Sequence, residues 1–137
     1  MPPFQTDATF ETLIFSVTFD AAKIGTAENP IRTLPSVLEV EQGDHIIRFD
    51  LGTVNSKPGE EAVFYIQEPI EWFFEDQPIN RPPEFSNPAV EVPGTLLATL
   101  DSNQDPKGRL YGLKINLMFD GQLYTSKDPT ILNLPPT

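Results

Sequence analysis

The chain has 137 residues, 15 prolines, no cysteine and a formal net charge of −11. That length fits a single domain over 1–137, large enough to bury a core without disulfides or thiolate metal sites. The acidic balance disfavours phosphate backbones and anionic bilayers, and no apolar run nears the ~18 residues of a membrane span, so nucleic acid and membrane are excluded as partners.

Residues 1–11 read as an extended arm without the basic and apolar regions of a secretory leader, and a cytoplasmic location is the expectation. Leu13, Phe15, Val17 and Phe19 then alternate with Ile14, Ser16 and Thr18, the period of a strand with one buried face. Asp20 to Pro35 reads as loop, with one helical turn at Ala21-Ala22-Lys23. Val37–Glu41 and His45–Leu51 flank Gln42-Gly43-Asp44 and are expected to pair as a hairpin. Ala62–Gln67 is the next strand, with Phe64 and Ile66 on one face and Val63 and Tyr65 on the other; it is expected to lie centrally. Glu71–Phe74 is a short aromatic strand. Glu75–Pro88 holds Pro78, Pro82, Pro83 and Pro88 and should be irregular and extended. Val90–Val92 reads as an edge strand, Thr95–Leu100 as a strand and Asp101–Gly108 as a polar loop.

Tyr111, Leu113, Ile115, Leu117 and Phe119 alternate with Gly112, Lys114, Asn116 and Met118, and Asp120-Gly121 follows. A two-residue turn there sets Phe119 against Gln122, Met118 against Leu123 and Leu117 against Tyr124. About eight short strands with frequent turn signals and no amphipathic helix predict an all-β antiparallel sandwich, immunoglobulin-like or cupredoxin-like.

Few constellations carry chemistry. Val37 to Phe49, VLEVEQGDHIIRF, resembles the opening of cupredoxin-like sandwiches in fold alone, since type 1 copper needs two His and a Cys and His45 is the only histidine. Asp101, Asn103 and Asp105 match the first half of an EF-hand loop and form a weak calcium candidate. Pro106 stands where the turn glycine belongs, and Gly112 where the bidentate Glu belongs. No other cofactor is implied. Glu60, Glu61, Glu68, Glu71, Glu75, Asp76 and Glu84 could supply a carboxylate pair to a small hydrolase, the remoter alternative, but no catalytic residue is assigned. Trp72, Phe73 and Phe74 cannot all enter one side of a core, so one face needs cover from the proline-rich loop, a second copy or a ligand. Tyr65, Trp72, Phe73 and Phe85 are the candidate ligand or interface residues. The reading is a non-catalytic binding or self-association module, with a homo-oligomer as its first partner. A carbohydrate-binding or calcium-dependent lectin-like domain is the alternative. Acidic rims of Glu71, Glu75 and Asp76 would make such a dimer strengthen with salt.

The ending Tyr124-Thr-Ser-Lys-Asp128-Pro129-Thr-Ile131-Leu-Asn133-Leu-Pro135-Pro136, with the Asp-Gly hairpin before it, resembles the DP-EP family of small bacterial proteins. More distantly it resembles the AidA/PixA-type inclusion-body proteins, which also end a strand with a D-P-x-I stretch. The resemblance implies a compact bacterial β-sandwich without a known catalytic role and carries over no functional residues.

Overall fold

The computed structural model describes residues 10–137. Its twelve strands in chain order are β1 (Glu11–Asp20), β2 (Ile31–Leu34), β3 (Val37–Val40), β4 (Gly43–Val54), β5 (Val63–Phe64), β6 (Ile70–Phe74), β7 (Gln77–Ile79), β8 (Ala89–Glu91), β9 (Leu96–Asn103), β10 (Arg109–Phe119), β11 (Gln122–Thr125) and β12 (Thr130–Asn133). One 3-10 turn follows β1 at Ala21–Lys23, where the Asp20 carboxylate accepts from the Ala22 amide. Nine residues of the expected arm, 1–9, lie outside the described residues, and Glu11 already opens β1.

Two sheets face each other as a β-sandwich. The first runs β2-β1-β4-β9-β8 and the second β3-β12-β10-β6-β7, with β11 and β5 paired to the far half of β10. Alternation sorts the side chains as the sequence predicts. Phe15, Val17, Phe19, Ile47 and Phe49 of the first sheet meet Leu113, Ile115, Leu117 and Phe119 of the second. Burying each such side chain is worth roughly 1.5–3 kcal/mol, so this double row is the main source of stability. At the β10–β11 turn Asp120 has φ 49° and Gly121 φ 76°, the pair of positive values that a type I′ turn requires. The register follows: Leu117 faces Tyr124, whose ring meets Phe19 at 5.2 Å.

The sheets are mixed rather than wholly antiparallel, because β1 runs parallel to β4 and β3 parallel to β12. The expected hairpin of Val37–Glu41 with His45–Leu51 does not form. Parallel pairing of β1 with β4 sets Phe15 beside Phe49, their rings stacked at 5.0 Å. The chain between β3 and β4 changes sheets instead of turning within one. Asn103 Nδ2 donates to the carbonyls of Val40, Glu41 and Leu134, and Gln42 Nε2 donates to those of Asp105 and Leu134. These clips satisfy the carbonyls that the crossing takes out of a ladder.

Ala62–Gln67 is not a central strand either. Only Val63–Phe64 pairs, with β10 alone, and Ile66 is 73% exposed. The proline-rich segment is less irregular than expected, since Gln77–Ile79 pairs with β6 despite Pro78. Asp101–Gly108 is not all loop: β9 continues to Asn103. Prolines instead mark three of the edge strands. Pro30 and Pro35 bracket β2, Pro78 interrupts β7, and Pro88 and Pro93 flank β8. A proline there withholds a ladder donor and blocks edge-to-edge pairing with another chain.

Candidate functional site

β6 turns Ile70 and Trp72 inward and leaves Glu71 and Phe73 on the outer face of the second sheet. Trp72 packs on Phe85 with ring centroids 4.7 Å apart, and Phe85 meets Tyr111 edge-on at 5.5 Å. Both Trp72 and Phe85 are therefore core, at 6% and 1% exposure. Phe74 also turns in, near Tyr111, with the Arg109 guanidinium 5.2 Å above its ring.

Phe73 is the aromatic left outside, half-buried. Its cross-strand partners are Gly112 on β10 and Pro78 on β7. A side chain begun at Gly112 would stand 3.4 Å from Phe73 Cβ, so glycine leaves room for the phenyl group against the sheet. Lys114 Nζ sits 4.9 Å from the ring centroid, a cation–π arrangement.

Phe73 forms the ridge between two depressions. One, of about 390 Å³, is lined by Phe73, Lys114, Lys127, Asp76, Asp128 and Thr130 among others. The second, of about 300 Å³, includes Trp72, Phe73, Glu71, Asn80, Arg81 and Asn87. The rim is thus of both signs, not acidic throughout. Glu71 is already engaged, its carboxylate accepting from Asn116 Nδ2 at 2.9 Å. Of the four residues singled out by sequence, Trp72 and Phe73 reach one depression. Phe85 lies beneath it in the core, and Tyr65 sits apart, its amide donating to the Asn116 carbonyl. Lys114 and Lys127 escaped the sequence reading because β10 and the turn before β12 lie far along the chain from the aromatic run.

The calcium candidate takes a different shape. Asp101 and Asn103 point inward from β9 and are fully buried, while Asp105 lies beyond its end. Asn103 spends its amide nitrogen on three carbonyls, its Oδ1 accepts from the Asp105 amide, and Asp105 Oδ1 accepts from the Lys107 amide. These are strand-end clips, not oxygens converging on a point. Among the described residues no group of three or more His, Asp or Glu converges to hold a metal ion. His45 is buried beside Asp101, with Nδ1 3.3 Å from the Gly43 carbonyl and Nε2 3.8 Å from the Glu11 carboxylate. Tyr111 donates to the Glu84 carboxylate at 2.8 Å, and burial, then this bond, push its phenol upward. No helix of the described residues is long and apolar enough to cross a membrane.

The architecture defines a mixed two-sheet β-sandwich with two shallow depressions beside Phe73 on one outer face. No family model matches the chain, and no curated protein matches it. Among solved structures it is similar to the inclusion body protein PixA of Burkholderia cenocepacia J2315, at 8% identity and a TM-score of 0.46, covering 95% of this chain and 98% of that one. The N-terminal domain of ORF48 of phage TP901-1 is similar at 7% identity and a TM-score of 0.33, covering 92% and 99%. The likeness to PixA is distant, and neither neighbour carries an inference about what this chain does.

Proposed function

We propose that the protein is a non-catalytic binding module whose working surface is the outer face around Phe73, and that its partner is a second copy of the chain. The observation that carries this is the mixed charge of the larger depression. Lys114 and Lys127 stand there with Asp76 and Asp128 about one aromatic ring. A two-fold axis through such a patch sets the cations of each copy against the anions of the other, and cyclic dimers are the commonest soluble oligomers. Val37, Leu110 and Leu123, on the same face, are each about half exposed and add apolar area. Prolines beside or within β2, β7 and β8 hinder edge pairing there, which favours a face-to-face contact. The test is solution mass by light scattering for the wild type and Phe73→Ser, with urea stability alongside. A wild-type dimer that becomes a folded monomer in the variant supports the proposal. Two monomers would refute it.

A carbohydrate ligand is the second reading, and the smaller depression favours it. Gln67, Asn80, Arg81 and Asn87 line it beside Trp72 and Ile79, amide and guanidinium donors next to apolar surface. Binding on a glycan array without calcium, lost in Asn80→Ala, would select this reading.

A further inference from the structure

At the end of the sandwich where the chain crosses between β3 and β4, the interior is polar. Asp101 on β9 belongs to the first sheet and Asn133 on β12 to the second, and both are fully buried. Asn133 Nδ2 donates to Asp101 Oδ1 at 3.1 Å, a direct bond between the sheets. The other oxygen of each side chain, Asp101 Oδ2 and Asn133 Oδ1, is buried without a hydrogen-bond partner. Both oxygens lack a donor, and the two groups are already joined by one bond. A proton on Oδ2 could serve Asn133 Oδ1, the pairing a carboxylic acid makes with a carboxamide.

We propose that Asp101 and Asn133 form a proton-held latch between the two sheets: Asp101 is a neutral acid in the folded protein, its Oδ2–H donates to Asn133 Oδ1, and loss of that proton unfastens this end of the sandwich. The surroundings favour the neutral form. Burial, with added repulsion from Glu84 and Asp44, pushes the Asp101 carboxyl up to about 7 from an ordinary 3.8, against the opposing bond from Asn133. β4 also presents His45, the register partner of Asp101, and β1 sets Glu11 3.8 Å from the His45 ring. β10 contributes Tyr111, which holds Glu84, and Arg109, which lies 3.4 Å from Asp105. β3 brings Val40 against Asn133. β12 also carries β3, and Leu134 just beyond it accepts from both Gln42 and Asn103. Opening the latch therefore loosens β12 and β3 together.

The sign follows from linkage. A carboxyl raised in the folded state binds its proton more tightly there than in the unfolded chain. Its contribution is fully present below the unfolded value near 4, falls by up to tenfold in the folding constant per pH unit, and is gone above about 7. The test is urea stability from pH 5 to 9 for the wild type, Asp101→Asn and His45→Gln, with carbon NMR of the Asp101 carboxyl in the wild type. The expected result is a wild-type fall in stability up to about pH 7, kept in His45→Gln and absent in Asp101→Asn, with the carboxyl titrating near 7. Amide exchange at Asn133 and Leu134, corrected for intrinsic rate, should rise between pH 6 and 8.5 in the wild type only. A carboxyl titrating near 4, through a bridging water or cation that keeps it ionised, overturns the latch, even if the variants fail to fold. A pH slope that survives Asp101→Asn overturns it as well.

Discussion

Trp72 and Phe85 pack with their rings tilted and the centroids 4.7 Å apart, and that contact fixes the course of the proline-rich segment. Phe85 hangs between the sheets as a plug. Its amide bonds the Pro82 carbonyl, its carbonyl accepts from the Arg81 guanidinium, and it bridges to Asp101. The flanking prolines limit the unfolded chain's freedom, so ordering this loop costs less entropy than its length suggests. Phe85→Ala should lower stability by about 3–5 kcal/mol, read as a shifted urea midpoint. A loss below about 1 kcal/mol would mean the segment is only surface cover.

Asn103 should matter more than a polar residue at a strand end usually does. Its amide serves three carbonyls from two chain segments. Asn103→Ala takes this donor from all three carbonyls, of which Val40 keeps the Leu134 amide and Leu134 keeps Gln42 Nε2, and should destabilise by about 1–3 kcal/mol. Asn103→Asp should be no better, because a carboxylate cannot donate. Calcium should not rescue either variant in a thermal melt. Rescue by calcium would restore the chelating reading of Asp101, Asn103 and Asp105.

The final hairpin was legible because its signals are local. Asp120-Gly121 sets the turn, the turn sets the register, and the alternation from Tyr111 to Phe119 sets the buried face. Leu117→Ala should therefore cost about 2–5 kcal/mol, and Gly121→Val roughly 1 kcal/mol or more from its positive φ. Equal denaturation midpoints for wild type and Leu117→Ala would contradict the assigned core.

What the sequence concealed was pairing between distant segments. Gln42-Gly43-Asp44 looks like a hairpin turn, yet Val40 and His45 belong to different sheets, because Asn103, some sixty residues on, holds the crossing. Asp101 reads as a turn former until β9 is seen to carry it into the interior. The outer site was half visible. Alternation puts Trp72 and Phe73 on opposite faces, but nothing local says that Phe73 meets Gly112 and Lys114 while Trp72 meets Phe85.

The charges around Phe73 reverse the salt dependence that an acidic rim would give. Two lysines and two aspartates share one depression, so a two-fold pairing brings opposite charges together. Exposed pairs of this kind contribute roughly 0.2–1 kcal/mol each and are screened within ~8 Å at physiological salt. The proposed dimer should accordingly weaken as salt is raised from 20 mM to 500 mM, on the order of tenfold in dissociation constant. Lys127→Glu should weaken it at low salt, and adding Asp128→Lys should recover much of the loss by restoring both signs. Lys127 and Asp128 are exposed, so neither change should move the urea midpoint by more than about 0.5 kcal/mol. Sedimentation equilibrium at the two salt concentrations reads all three proteins. A dimer that tightens with salt in the wild type, and is indifferent to Lys127→Glu, would place the contact on an apolar face away from this depression.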